Sequence, residues 1–143
     1  MQKDKSDQEQ LLALHQLTIE AHLQNDVEIM LKDEEDDYVV GNRGVVTRPT
    51  KVERRQQFEP YFAGTTFEIY RDEIPPIVKV SEDGTLGWVI AQVYVRGEQD
   101  AGEGEKAPLE FGSSWIELYE KRNGRWIRMG NVSNIKSLEL VTS

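Results

Sequence analysis

Cysteine is absent from the 143-residue chain, which excludes a disulfide framework, a thiolate zinc site and a cysteine nucleophile together. Histidine is nearly as scarce, with only His15 and His22. They lie seven residues apart in a helical stretch, two turns or roughly 10 Å along the axis, too far to share one ion. No metal and no cofactor is expected. Apolar runs are short, and none reaches the roughly 20 residues of a membrane-spanning helix. Positive charge is in deficit, with 17 basic residues against 26 acidic ones and a net charge of −9. Such a balance repels phosphate backbones and anionic lipid, so neither nucleic acid nor membrane is an expected partner. The opening Met1-Gln2-Lys3-Asp4-Lys5 has no signal-peptide core. A cytoplasmic location is the expectation, with an exported form whose leader has been removed as the alternative. A chain of this length buries roughly two thirds of its unfolded surface and folds without staples. It suits one domain, residues 1–143, ordered from about 6 to 137.

What is present falls into helices first and strands later. Ser6 and Glu9 have capping-box spacing. Leu11, Leu14, Leu17, Thr18 and Ala21 form a helical stripe, widened by Leu12, His15, Ile19, His22 and Leu23. Asn25-Asp26 breaks the chain, and Asp26 caps a short helix through Val27, Ile29, Met30 and Leu31. The acidic run Asp33–Asp37 reads as its solvated end, lacking the alternating ligands and turn glycine of an EF-hand loop. Short strands at Tyr38–Val40 and Val45–Thr47 flank Gly41–Gly44. Thr50 and Glu53 cap a third helix through Val52, Phe58, Tyr61 and Phe62. Beyond residue 64 the pattern is β. Thr65–Tyr70 and Ile77–Val80 form one strand interrupted at Pro75-Pro76. Leu86–Arg96 follows the Glu82-Asp83-Gly84 turn. Gly97–Ala107 reads as a mobile loop. Leu109–Glu120 and Trp126–Leu138 are joined by the hairpin dipeptide Asn123-Gly124. The order argues an α+β domain with helices on one face of an antiparallel meander.

These landmarks together resemble the nuclear transport factor 2-like superfamily, in its SnoaL-like and ketosteroid-isomerase-like branch. They are the long first helix, Asn25-Asp26, Asp36-Asp37 before a short strand, Gly44, Ser81–Gly84 before a long strand, and Asn123–Ile127 leading to Ser133. The resemblance spans residues 6 to 137. It implies a cystatin-like cone of bent sheet with N-terminal helices closing a pocket, and homodimers formed through the outer sheet face. It places Asn42 where ketosteroid isomerases carry their carboxylate base, Thr18 at the tyrosine donor and Ser113 or Ser114 at the second donor. That catalytic set is therefore expected to be missing.

Strand alternation divides the long strand into Trp88, Ile90, Gln92, Tyr94 and Arg96 on one face and Gly87, Val89, Ala91, Val93 and Val95 on the other. The first set mixes aromatics with an amide and a guanidinium, as ligand cavities do, and the family alignment also turns it inward. The second suits a helix- or dimer-packed surface. Matching inward sets are Ser114, Ile116 and Leu118, with Trp115, Glu117 and Tyr119 outward, then Ile127, Met129, Asn131 and Ser133. From the first helix come Thr18 and His22. The expected ligand-binding residues are thus Thr18, His22, Trp88, Ile90, Gln92, Tyr94, Ser114, Ile116, Met129, Asn131 and Ser133. They surround a hollow beneath Trp88, Gln92 and Asn131. His22, with an ordinary pKa near neutrality, is the candidate acid or base; the alternative is a helix histidine satisfied by a carbonyl or by Asp26. His15 reads as a plain helix-face residue. Three functions follow: a binding protein for a small, partly hydrophobic molecule; an isomerase, dehydratase or hydrolase using His22; or an association module recruiting through Trp115 and Tyr119.

Overall fold

The computed structural model describes residues 6–137. The opening Met1–Lys5 and Leu138, expected to close the last strand, lie outside the described residues.

Helix α1 (Asp7–Gln24) begins where the Ser6 hydroxyl accepts the Glu9 amide at 3.2 Å. It ends at Asn25, whose left-handed backbone (φ 53°) frees its side chain to donate to the carbonyls of Phe62 and Thr65, each at 2.7 Å. Asn is among the few residues that adopt this conformation readily. Asp26 caps α2 (Val27–Leu31). A complete Thr50–Glu53 capping box opens α3 (Lys51–Ala63). None of the helices among the described residues is long and apolar enough to cross a membrane.

The strands are β1 (Glu34–Asn42), β2 (Val45–Thr47), β3 (Thr65–Asp72), β4 (Ile77–Val80), β5 (Leu86–Gly102), β6 (Glu105–Arg122) and β7 (Arg125–Ser137). They form one curved, unclosed sheet in the order β2-β1-β7-β6-β5-β3, with β4 also paired to β5. The meander is antiparallel as expected, but β1 joins β7 in parallel. Asn123-Gly124, both at positive φ, turns the β6–β7 hairpin. The ladder slips at several points. One bulge lies between Phe67 and Ile69 of β3, opposite Gly97. A Cβ on Gly97 would stand 2.1 Å from the Thr66 carbonyl oxygen, so only glycine fits this close approach.

Two expectations about local structure are corrected here. Gly97–Ala107 is not a mobile loop, since β5 and β6 stay paired from Gly97–Leu109 out to Gly102–Glu105. Glu103 and Gly104, at φ 51° and 77°, make the tight turn. Backbone pairing needs no hydrophobic side chain, so a stretch without one can still extend the hairpin. The acidic run is not a solvated helix end either. Glu34 starts β1 and is buried, Asp36 accepts the Lys51 amide, and Asp37 pairs with Arg122.

Helix α1 lies on the concave face of the sheet. Toward its C-terminus Ile19 and Ala21 pack with Met30, Leu31, Phe62, Phe67, Tyr70, Val93 and Val95. Toward its N-terminus Leu11 packs with Val89, Tyr119 and Trp126. Leu12 and Leu23, expected to widen the buried stripe, are exposed.

Candidate functional site

The helix on the concave face decides which side chains can reach a pocket. Val89, Ala91, Val93 and Val95 are fully buried beneath it. Trp88, Ile90, Gln92 and Tyr94 therefore lie on the outer face, the reverse of the expected orientation. The small size of Val89, Ala91, Val93 and Val95 suits a helix- or dimer-packed surface, and of the two it is a helix that covers them, on the concave side. Register carries the reversal to β6. Gln92 pairs with Ser114 and Ile90 with Ile116, so Ser114 and Ile116 also face outward, while Ser113, Trp115, Glu117 and Tyr119 face inward.

On β7 the pattern changes phase. Leu118 pairs with Gly130 and Tyr119 with Arg128, leaving Met129 as an extra residue. The bulge turns Met129 outward into a groove beside Trp88, and sends Arg128, Asn131 and Ser133 inward. Of the expected set, Thr18, His22, Asn131 and Ser133 line the concave cavity; Trp88, Ile90, Gln92, Tyr94, Ser114, Ile116 and Met129 do not. The hollow lies beneath Asn131, with Trp88 and Gln92 turned away from it.

The cavity measures about 320 Å³. Phe58 and Tyr61 of α3, Tyr70 of β3, and Phe111 and Trp115 of β6 supply its apolar walls. Thr18 and Asn42 line it, and of the two serines expected at the second donor position Ser113 does and Ser114 does not. The Thr18 hydroxyl donates to the Leu14 carbonyl and accepts from Arg128, and that of Ser113 donates to the Asn134 carbonyl.

A chain of buried charges runs along one wall. Arg54 grips Glu34 through two 2.9 Å bonds and stacks on the Tyr38 ring at 4.1 Å. Arg128 stands 4.0 Å from Glu34 and 3.6 Å from Glu117. Glu117 accepts from Trp115 at 2.6 Å and Tyr119 at 2.5 Å. His15 closes the chain, with Nδ1 2.6 Å from Glu117 and Nε2 2.8 Å from Asp72. A carboxylate oxygen only accepts, so both imidazole nitrogens must carry protons here. Burial alone would lower the His15 pKa, but the two carboxylates outweigh it and raise it. Burial likewise pushes Glu117 up, and Arg128, His15 and Tyr119 together overcome it, holding the carboxyl at about 2. Burial works against the Arg128 charge, while Tyr119, Glu117, Tyr38 and Glu34 keep the guanidinium protonated.

His22 is a different histidine. Its ring stacks on Tyr70 at 4.4 Å, with the edges of Phe62 and Phe67 around it. Nδ1 donates to the Thr18 carbonyl at 2.8 Å, the carbonyl arrangement that sequence allowed, and Asp26 plays no part. Burial, with Arg128 nearby, lowers its pKa to about 4 despite that bond. The imidazole is therefore neutral, and Nε2 keeps a bare lone pair.

His15, expected as a plain helix-face residue, and Glu117, expected to face outward, are both buried in this cluster, along with Glu34, Arg54, Tyr70 and Arg128, for which the sequence suggested no site role. One signal was available. Glu117 alternates with Trp115 and Tyr119, and a charge in phase with large aromatics marks a buried, paired group.

No protein-family model and no curated protein matches the chain. Solved structures do. A nuclear transport factor 2-like protein from Cytophaga hutchinsonii is 14% identical and aligns over 92% of this chain and 100% of its own, at a TM-score of 0.72. A ketosteroid isomerase-like protein from Erwinia carotovora atroseptica is 16% identical over 94% and 99%, also at 0.72. A candidate calcium/calmodulin-dependent protein kinase II association domain from Xanthomonas campestris is 16% identical over 92% and 88%, at 0.65. The chain has the nuclear transport factor 2-like fold.

Proposed function

We propose that this protein binds a small, partly hydrophobic molecule in the cavity beneath α1, without ketosteroid-isomerase-type catalysis. The observation that carries the reading is a pocket with aromatic walls and polar atoms left without a hydrogen bond. His22 Nε2, Arg128 Nη1 and the Tyr70 hydroxyl make no hydrogen bond to a described residue, Arg128 Nη1 reaching only Glu34 at 4.0 Å, although each residue is only 7% exposed. No fully buried side-chain polar atom among the described residues lacks a partner, so these three atoms must open onto the cavity their residues line. Buried polar groups left this way are natural contacts for a ligand. The enzyme alternative has less support. Neutral His22 has no proton to give at Nε2, and a pKa lowered to about 4 makes that nitrogen a weak base; Glu117 already accepts from His15, Trp115 and Tyr119.

A second reading concerns the outer face, where Ile77, Leu86, Ile90 and Val132 are exposed around half-buried Trp88. An apolar surface of this kind, together with the association-domain neighbour, supports a homodimer formed there. It would recruit through Trp88 and Ile90; Trp115 and Tyr119, the residues first considered, face the interior.

Native mass spectrometry of protein taken from its source cells tests both readings at once. The expected spectrum shows a dimer with each subunit carrying one non-covalent small molecule. Protein that remains empty when supplied with source-cell extract would defeat the binding reading, and a monomer would defeat the dimer.

A further inference from the structure

The charges in and behind the cavity wall cancel as one cluster. Arg54, Glu117 and Arg128 line the cavity, and Glu34, Asp72 and protonated His15 stand behind them, three anions and three cations linked in pairs. An ionised ligand would add an uncompensated charge to a buried site, which is costly. The free atoms point the same way. His22 Nδ1 faces a carbonyl and must hold the ring's single proton, so Nε2 can only accept. A carboxylate or phosphate oxygen placed there would meet lone pair with lone pair. A ligand cation would meet Arg128. What fits is a group that gives one proton and takes another, attached to a body that suits Phe58, Tyr61 and Trp115.

We infer that the ligand is an uncharged compound of one or two rings bearing a hydroxyl or N–H group. That group donates to His22 Nε2 and accepts from Arg128 Nη1 or the Tyr70 hydroxyl. The inference rests on the cavity being a binding site and adds the chemical class. The volume of about 320 Å³ is at the small end of ligand pockets and sets the size.

Three probes of nearly one shape separate the terms at pH 7.5: 2-naphthol, 2-methoxynaphthalene, which lacks the donor, and 2-naphthoate, which is anionic. Calorimetry should show 2-naphthol binding roughly tenfold tighter than either of the others, the worth of one buried hydrogen bond. In His22→Phe, which keeps the aromatic stack, the ratio of 2-naphthol to 2-methoxynaphthalene should fall to about one. Nitrogen NMR of the unmodified protein gives a reading that does not depend on that variant folding, since the His22 Nε2 resonance should move on adding 2-naphthol and stay put with 2-methoxynaphthalene. Equal binding of naphthol and its methyl ether, tighter binding of naphthoate, or an unmoved Nε2 signal overturns the inference and leaves the binding reading standing. If no probe binds, both fall.

Discussion

His15 and His22 lie on one face of one helix, two turns apart, and both are almost fully buried. Their environments drive them in opposite directions. His15 is clamped by two carboxylates and charged, whereas His22 sits among three aromatic rings over a carbonyl and is neutral. The lesson concerns neighbours. The facing strands decide whether burial ends in an ion pair or in a bare lone pair, and only the second leaves anything for a ligand to use.

The difference is open to attack from the His15 end first. Glu117→Ala should cost about 3–5 kcal/mol by urea unfolding at pH 7, because it strands His15 and Arg128 without their shared partner. A loss below about 1 kcal/mol would mean that the charges are not buried as described. Glu117 also sets an acid limit. With its folded value near 2 against an ordinary 4.5, its stabilisation is lost as pH falls between them.

The histidines themselves should give opposed pH profiles. His22 drops from 6.5 to about 4 on folding, so it penalises the folded state progressively as pH falls through that window. The full effect is on the order of 3 kcal/mol. Subtracting the stability profile of His22→Phe from that of the unmodified protein should isolate it between pH 6.5 and 4. A difference that stays flat there would place the ring in water. The raised value of His15 has the other sign, since its stabilisation is complete below pH 6.5 and is lost as pH rises through the folded value.

The smallest effect sharpens the contrast. Asp72 is partly exposed, with 22% of its side chain accessible, so Asp72→Asn should cost only about 1 kcal/mol at pH 6. It should nonetheless lower the His15 titration midpoint followed by proton NMR and leave that of His22 unchanged.

Much of this architecture was legible in the sequence, and the reasons differ by residue. The caps at Ser6, Asp26 and Thr50 and the turn at Asn123-Gly124 are local devices, readable because partners lie within a few positions. The period of two along β5 was also plain. What alternation cannot say is which of its two faces turns inward. That depended on the position of α1, a long-range fact, and choosing wrongly displaced seven of the eleven expected ligand contacts. Thr18 and His22 line the cavity because α1 covers the concave face. Asn131 and Ser133 line it because a bulge that the sequence does not announce restores their phase. The charged wall stayed hidden because His15 meets Glu117 across 102 positions and Arg54 meets Glu34 across 20. No spacing rule links them.

The extra residue at Met129 bears on how such a cavity could be re-lined. Closing the bulge with Met129 retained would shift the phase of everything after it, exposing Asn131 and Ser133 and turning Val132 toward the interior. The composition of the strand would be untouched, yet Val132 would enter a wall that Asn131 and Ser133 now hold. Whether the strand bulges at this point thus governs ligand preference in a way that replacing the lining residues singly would need several steps to match.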